Sequence, residues 1–249
     1  MDNNQTIQLL KNHYSVRKYT TRQVPDEMVK TIVDCGQMAP TSSYFQSYTI
    51  IQVSDAEKRK NLRKWSGDQE WVETAPLALL FCADLHRIEE VACPEDKEIL
   101  HNAELYTVAV IDCALAAQKS LIAAQALGLG GVIVGGIRNE TEEVAKLFNL
   151  PSLVFPMFLL CLGYPDQEHT RKPRFPQNLI LGKDHYPEIN TTQLKSDFEI
   201  YEKNVYDYFE KITGGRSKRS WSSRVKYAME NKPRYNVGDF LKKAGFLKK

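Results

Sequence analysis

The chain has 249 residues, of which 43% are hydrophobic and 26% charged, with a formal net charge of +2 at pH 7. These values suit one soluble globular domain or a closely fused pair. The polar start after Met1 and the lack of a long uninterrupted apolar run argue against a signal peptide and a membrane span. We therefore expect a cytoplasmic protein that does not enter a membrane.

The cysteines and histidines argue against a disulfide framework and a metal site. The five cysteines are scattered, and none forms a Cys-x-x-Cys pair. Cys82, Cys113 and Cys161 lie in apolar stretches, which predicts buried free thiols in a reducing compartment. The five histidines lack the spacing of metal ligands.

Positive charge is concentrated in the C-terminal third. Residues 171–249 carry 18 Lys and Arg against 9 Asp and Glu, a net of +9, whereas residues 1–170 carry 15 against 22, a net of −7. Such a basic segment is typical of a nucleic-acid surface or of a site for a phosphorylated small molecule. A solvated face with a lysine tail is the alternative.

A short helix is predicted over residues 5–12, followed by a segment rich in hydrogen-bond donors. In extended backbone, alternate side chains share a face, so His13, Ser15 and Arg17 would lie together. Three donors on one face suit an anion, with Arg17 as the fork for a phosphate. An exposed basic turn is the alternative interpretation of this segment.

Two further helices and a strand are predicted next. Pro25 and the acids after it begin a helix that Pro40 ends. The loop 41–46 follows, whose hydroxyls and amide either hydrogen-bond a heterocycle or cap a turn. Residues 48–53 form a strand, and Ser54 to Glu57 read as a capping box for a helix through Trp65.

The centre of the predicted fold is the stretch from Leu105 to Gly136. Its first part, through Leu127, belongs to a long apolar helix that we expect to begin near Glu95 or Asp96 and to be buried on several sides. A buried strand over residues 77–83 precedes it, and a short strand over residues 132–134 follows. Gly135-Gly136 then allows another atom to approach the backbone closely.

The last third begins with a strand and continues as loops and helices. The strand covers residues 154–163, where Pro156 predicts an edge position or a bulge. A proline-stiffened loop presents Arg171, Lys172 and Arg174. Helices are predicted over residues 191–212, 221–231 and 238–244, with a flexible basic loop between the first two.

Taken in order, these motifs resemble the flavin-dependent nitroreductase superfamily, and within it the NADPH-dependent nitroreductases and FMN reductases. The resemblance covers essentially the whole chain. It is carried by His13-x-Ser15-x-Arg17, Ser42-Ser43-x-x-Gln46, Gly67-x-Gln69, Phe81-Cys82-Ala83-Asp84, Gly128-Leu129-Gly130-Gly131, Gly135-Gly136-Ile137-Arg138-Asn139, Lys172-Pro173-Arg174-x-Pro176 and Ser220-Trp221-Ser222.

The resemblance implies an α+β fold, in which helices flank an antiparallel or mixed sheet, and an intertwined homodimer with FMN at the interface. Residues 1–249 would form one domain. The helix from Glu95 to Leu127 would be the interface helix. Residues 191–249 would be a helical extension that embraces the partner and carries the NADPH loop.

The resemblance also implies the site residues. Arg17, Lys172 and Arg174 match phosphate ligands of FMN, and His13 and Ser15 match ribityl and phosphate contacts. Ser42, Ser43 and Gln69 match groups around the flavin ring, while Gly135 and Gly136 match backbone near N5 that a side chain would block. The cofactor-binding set is completed by Tyr14, Thr41, Gln46 and Val134. Tyr14 stands where close relatives mostly carry Arg, and Pro40-Thr41 replaces a more Ser-rich stretch.

The implied activity is ping-pong reduction of nitroaromatics, quinones or free flavin, with NADPH as the electron donor. Arg216, Lys218 and Arg219 match the mobile loop that grips the NADPH 2′-phosphate. No side chain is an obvious general acid or base, and no nucleic-acid partner is expected. Two alternatives are a flavin carrier or sensor without efficient turnover and a protein that binds nucleic acid through its basic third.

Overall fold

The protein is described from a computed structural model that places residues 4–92, 95, 97–168, 170–188, 191–231 and 233–248. The chain forms two compact units, residues 1–168 with 234–249 and residues 169–233. The strands are β1 (Tyr48–Gln52), β2 (Leu77–Asp84), β3 (Gly130–Val134) and β4 (Val154–Gly163). The helices are α1 (Gln5–Lys11), α2 (Asp26–Gln37), α3 (Ala56–Trp65), α4 (Glu70–Thr74), α5 (His86–Val91), α6 (Ala103–Ala126), α7 (Thr141–Leu147), α8 (Thr192–Ile212), α9 (Trp221–Asn231) and α10 (Asn236–Lys243).

The first unit is built on a four-stranded antiparallel sheet in the order β1-β2-β4-β3. The predicted α+β class with an antiparallel sheet flanked by helices is therefore confirmed. Pro156 lies in β4, an interior strand, so the edge position was wrong. The bulge was right, because the register between β2 and β4 shifts at Phe81 and Cys82, and Cys82 pairs with Pro156.

Helices cover both faces of this sheet, which explains the unbroken apolar runs in β2 and β4. Leu79 and Phe81 face α2 and α6, whereas Leu80 and Cys82 face the side covered by α3, α4 and α7. Because side chains alternate along a strand, a strand covered on both faces must be apolar throughout. All eight residues of β2 are buried.

The long central helix begins later than the sequence predicted. Asn102 accepts the amide of Leu105 at 2.9 Å, so α6 begins at Ala103. Residues 97–100 form a separate 3₁₀ turn, and Asp96 lies outside the described residues. The Asn102 backbone is extended and its side chain caps the first turn, so the helix begins after Asn102 and does not continue back to the acidic residues near position 95.

Helix α6 is apolar on most sides but is not covered on all of them. Ala109, Ala116 and Ala117 are fully buried, while Ile111 and Leu115 are 51% and 40% exposed. Among the described residues, α6 is also the one helix whose length and hydropathy suffice to cross a membrane, although half of that stretch is buried inside the protein. Core helices share this property, so it is weak evidence for a membrane.

Two polar contacts fix the start and the course of α3. Asp55, not Ser54, caps the helix by accepting the amide of Lys58 at 2.8 Å, so the predicted capping box was one residue out of register. Arg59 is buried and donates to four carbonyls, those of Val53, Val72, Glu73 and Ala75. Its charge is thereby compensated by peptide dipoles, as burial of a guanidinium requires.

The predicted state of three cysteines agrees with the structure. Cys82, Cys113 and Cys161 are buried free thiols. Burial raises the pKa of all three, that of Cys161 to about 12. They are therefore protonated, inert groups of the core. Cys93 lies outside the described residues.

The second unit is organised around an aromatic cluster. The Phe175 ring lies 4.5 Å from Tyr201 on α8 and 5.0 Å from Trp221 on α9, between ring centroids. Phe198 completes the cluster at 5.7 Å from Trp221. Tyr201 and Phe198 of α8 thus form the aromatic core of this unit together with Phe175 and Trp221.

Candidate functional site

The donor-rich segment lies beside β3. Ser15 forms a parallel bridge with Gly131, and the Val16 amide donates to the Gly131 carbonyl at 3.0 Å. Val16 is buried, and a Cβ at Gly130 would collide with it. Because alternate side chains of an extended segment point to opposite sides, Ser15 and Arg17 point away from the core.

Gln167, just after β4, holds this segment in place. Its Oε1 accepts the amides of Arg17 at 2.7 Å and Lys18 at 3.1 Å, and its Nε2 donates to the Ser15 carbonyl at 3.3 Å. One amide side chain thus forms hydrogen bonds with three backbone groups that are not paired with a strand. The backbone that carries Arg17 is held before any ligand binds.

The side chains of the segment are oriented by neighbouring groups. The His13 Nδ1 atom lies 3.0 Å from Nε2 of Gln125 on α6. Since an amide nitrogen only donates, a neutral His13 carries its own proton on Nε2. The Arg17 guanidinium lies 5.4 Å from the centroid of the Trp71 ring, within cation–π range. Tyr14 is half-buried in the same segment.

The hydroxyl-rich loop adopts an unusual backbone conformation. Ser43, Tyr44 and Gln46 have φ values of 46°, 61° and 53°. Each such residue costs about 1–3 kcal/mol when it is not glycine. The compensation comes from Asp112 on α6, whose two carboxylate oxygens accept the amides of Ser42 and Ser47, both at 3.1 Å.

The free energy of the two hydrogen bonds to Asp112 is comparable to the backbone strain of the loop. Each hydrogen bond to a buried charged group contributes about 1.5–3 kcal/mol. Ser42 and Ser43 remain exposed, Thr41 and Gln46 are half-buried, and Ser47 is fully buried. The loop is therefore anchored at its two ends and presents its hydroxyls outward.

The glycine pair after β3 contacts another predicted site residue. A Cβ at Gly136 would lie 2.6 Å from Nε2 of Gln69 and 2.6 Å from the Ser66 carbonyl oxygen, while Gln69 itself donates to that carbonyl. A Cβ at Gly135 would meet the Arg138 guanidinium at 2.9 Å. Packing within the protein therefore requires glycine at position 136, whereas at position 135 the neighbour is the end of a flexible side chain. Val134, just before them, is buried.

The predicted site residues of this unit fall into two groups along α6. His13 contacts Gln125, whereas Ser42 contacts Asp112, thirteen residues earlier on the helix. At 1.5 Å per residue these anchors are about 20 Å apart. The first anchor serves residues 13–17 and the second serves the loop 41–46. Gln69 lies beside Gly136, just after β3.

In the second unit, Lys172 and Arg174 border a cavity of about 320 Å³. Phe175, the next residue along, packs against α8 and α9, and so fixes the loop that carries both cations. Arg174 is exposed. The predicted rigid loop with cations is therefore present, with aromatic packing as well as proline as the cause of its rigidity.

The predicted NADPH loop follows α8. Lys218 forms an ion pair with Glu210 at 3.5 Å, the Arg219 guanidinium lies 3.9 Å from the Tyr227 ring centroid, and the Arg216 Nε donates to Thr213. The pair of Lys218 and Glu210 is well exposed, with side-chain exposures of 60% and 42%. Exposed pairs contribute about 0–1 kcal/mol, so a phosphate dianion can displace Glu210 at little cost.

The sequence-based site prediction missed several described residues that contact these segments, among them Trp71, Asp112, Gln125, Gln167 and Arg224. The Arg224 side chain donates to Ser217 at 2.7 Å and to the Arg219 carbonyl at 3.1 Å, which braces the basic loop. Asp112 had a visible signal, since it is the one acidic residue in the apolar stretch of residues 105–126. Trp71, Gln167 and Arg224 had none.

The chemistry of these groups fits FMN. A phosphate dianion suits Arg17 with Ser15, and the carbonyls and ring nitrogens of a flavin suit hydroxyl and amide donors such as Ser42, Ser43 and Gln69. No described group contradicts this ligand.

Replacing Gly136 with alanine is expected to destabilise the protein by about 1–3 kcal/mol, because the new methyl group would overlap the Ser66 carbonyl and the Gln69 amide. Urea denaturation measures this change. Gly238→Ala is the matched control, since a Cβ there meets nothing within 4 Å, and it should leave stability unchanged or slightly raised. Equal midpoints for both variants would contradict the packing at Gly136.

Comparison with known proteins places this geometry in a family. The model of the nitroreductase family matches residues 10–164, and that of the nitroreductase family C-terminal domain matches residues 172–249. The chain is 38% identical to the FMN reductase (NADPH) of Bacillus subtilis, with 98% of this chain and 99% of that protein covered. It is 32% identical to the NADPH-flavin oxidoreductase of Vibrio harveyi, covering 99% and 100%.

Solved structures give the same result. The structure of the NfrA1 nitroreductase from B. subtilis superimposes with a TM-score of 0.93 at 38% identity, over 98% of this chain and all of that one. Both the sequence and the fold therefore match over essentially the full length, as the ordered motifs predicted. The chain belongs to the nitroreductase family.

Proposed function

We propose that the protein is an FMN-containing oxidoreductase that uses NADPH to reduce small-molecule acceptors. The observation that carries this proposal is the full-length similarity to relatives named FMN reductase (NADPH) and NADPH-flavin oxidoreductase. The donor groups described above are the second support. Nitroaromatics, quinones and free flavin are the proposed acceptors.

The proposed FMN contacts divide by the part of the cofactor they suit. Arg17, Lys172 and Arg174 bind the phosphate, because a dianion needs two or three cations and arginine binds it bidentately. His13 and Ser15 bind the phosphate and the ribityl chain. Tyr14 lies at a position for a phosphate or ribityl contact. The contacts around the ring are Thr41, Ser42, Ser43, Gln46, Gln69, Val134, Gly135 and Gly136.

We further propose that the active form is a homodimer in which the loop 41–46 serves the partner's flavin. Two observations support this. Ile111 and Leu115 leave an exposed apolar face on α6, the kind of surface that a second copy covers. The anchors of residues 13–17 and of the loop 41–46 also lie about 20 Å apart along α6, which is more than one flavin ring spans.

Bound flavin would supply the two-electron redox chemistry, and the side chains would supply binding and orientation. None of the described side chains near the glycine pair is poised as a general acid or base, so a proton for the acceptor would come from water. Donor and acceptor would use one open face in turn, which is ping-pong turnover. Such a shared face favours a broad range of acceptors.

The first experiment is a visible absorption spectrum of the purified protein before and after anaerobic NADPH. The proposed function predicts flavin bands that bleach on addition of NADPH. Persistent bands would favour a flavin carrier or sensor, or NADH as the donor. If no bands appear even after incubation with FMN, the proposed function is wrong.

Replacement of Arg17 with alanine is expected to yield protein with little bound flavin, because the phosphate loses its bidentate cation. The loss of about 1.5–3 kcal/mol of binding free energy weakens the affinity about tenfold or more. The flavin-to-protein absorbance ratio measures this. Arg22→Ala is the matched control, since Arg22 stacks on the Tyr164 ring at 4.0 Å and has no proposed role, and should keep full occupancy. Full occupancy in Arg17→Ala would show that the phosphate site is misplaced.

Neutralising Arg216 and Lys218 together is expected to raise the KM for NADPH by more than about tenfold, since two charge-assisted bonds to the 2′-phosphate are lost. The KM for NADH should change little, because NADH lacks that phosphate. Lys203→Gln with Lys226→Gln is the control; both lysines lie in the same unit and form exposed pairs on α8 and α9. Unchanged NADPH kinetics in the Arg216/Lys218 variant would rule out this loop.

A further inference from the structure

Asp112 is a buried carboxylate on the core helix of the first unit. It is 1% exposed, and its neighbours along the buried side of α6, Cys113 and Ala116, are apolar. A charged group in such surroundings persists when hydrogen-bond donors satisfy its oxygens. Here the donors are two backbone amides, one on each carboxylate oxygen.

Those two amides mark the ends of one loop segment. Oδ1 accepts the amide of Ser42, at the start of the segment, and Oδ2 accepts the amide of Ser47, just before β1. The Ser47 carbonyl in turn accepts the Asp84 amide of β2 at 2.9 Å. The carboxylate therefore ties both ends of the segment 42–47 to α6, and the sheet holds the second end from the other side.

Between these two ends the backbone takes a form that it would not keep unaided. Three residues with side chains have positive φ, and the internal contacts are short-range ones, Phe45 amide to Ser42 carbonyl and Tyr48 amide to Gln46 carbonyl. Non-glycine residues in this region persist only where the surroundings determine them. Such conformations are concentrated at ligand sites, where they aim groups at a ligand.

We propose that Asp112 is a positioning residue for the flavin ring, because its carboxylate clamps the segment 42–47 in the conformation that presents Ser42, Ser43 and Gln46. This inference rests on the proposed function for the identity of the ligand. The carboxylate touches neither flavin nor substrate. It acts through the loop, and the loss of one acceptor oxygen is enough to release one end.

Hydrogen exchange in the full-length, flavin-free protein tests the clamp. Asp112→Asn keeps the shape of the side chain but replaces one acceptor oxygen by a donor. Exchange of the amides in residues 42–47 is expected to become about tenfold faster or more, with β2 and β4 unchanged. Glu104→Gln, which removes an exposed acid from the first turn of the same helix, should change neither.

Titration with FMN tests the consequence. Asp112→Asn is expected to raise the dissociation constant for FMN by about tenfold or more. It should also alter the visible circular dichroism of the flavin at saturation, which reports the surroundings of the ring. Glu104→Gln should match the wild type in both. If Asp112→Asn does not fold, Asp112→Glu, which shifts both acceptors by one methylene, takes its place with the same expected results.

The outcomes separate this inference from the proposed function. Unchanged local exchange, or faster exchange in the whole protein with normal FMN binding, overturns the clamp. Faster local exchange with unchanged FMN affinity and dichroism overturns the positioning role. If wild-type protein does not bind FMN, the proposed function fails, and with it the flavin as ligand, whatever the exchange data show for the loop.

Discussion

The burial of α6 against one face of the antiparallel sheet is the constraint on which the first unit depends. Small side chains such as Ala109, Ala116 and Ala117 allow the helix to approach the sheet closely, and α2 packs beside it on the same face of the sheet. Because the interior is densely packed, the helix has one position, and every group on it has a defined location. The polar residues of α6 therefore act as fixed anchor points.

Those anchor points explain how irregular segments become binding surfaces. Among the polar residues of α6, Asp112 holds the loop 42–47, Lys119 donates to the Met38 carbonyl and Gln125 contacts His13. Gln167 does the same for residues 15–18 from the end of β4. Each contact satisfies backbone or ring atoms that no regular element pairs, so the loops are held before a ligand arrives.

The second unit uses aromatic packing and weak charge pairs for a different purpose. The Phe175 cluster fixes the loop of Lys172 and Arg174. The loop of residues 214–220 is held by hydrogen bonds from Arg224 and by exposed contacts such as the Lys218–Glu210 pair. A firmly held pair of cations suits a resident phosphate. Cations whose own partners are easily displaced suit a ligand that must enter and leave in each turnover.

The amino-acid sequence by itself determined the elements and the family. Helix and strand positions followed from apolar period, caps and prolines, since these are local effects, and the ordered motifs predicted the nitroreductase family that the full-length comparisons show. The predicted start of α6 and the predicted cap of α3 were wrong, and the sequence did not predict that β4 is an interior strand. Local signals compete at these places, and tertiary packing decides between them.

The tertiary structure alone decided which side chains hold the site. Asp112 and Ser42 are seventy residues apart, and Gln167 and Arg17 are 150 apart. Such contacts arise from the folding of the whole unit, because no local preference encodes a hydrogen bond across that distance.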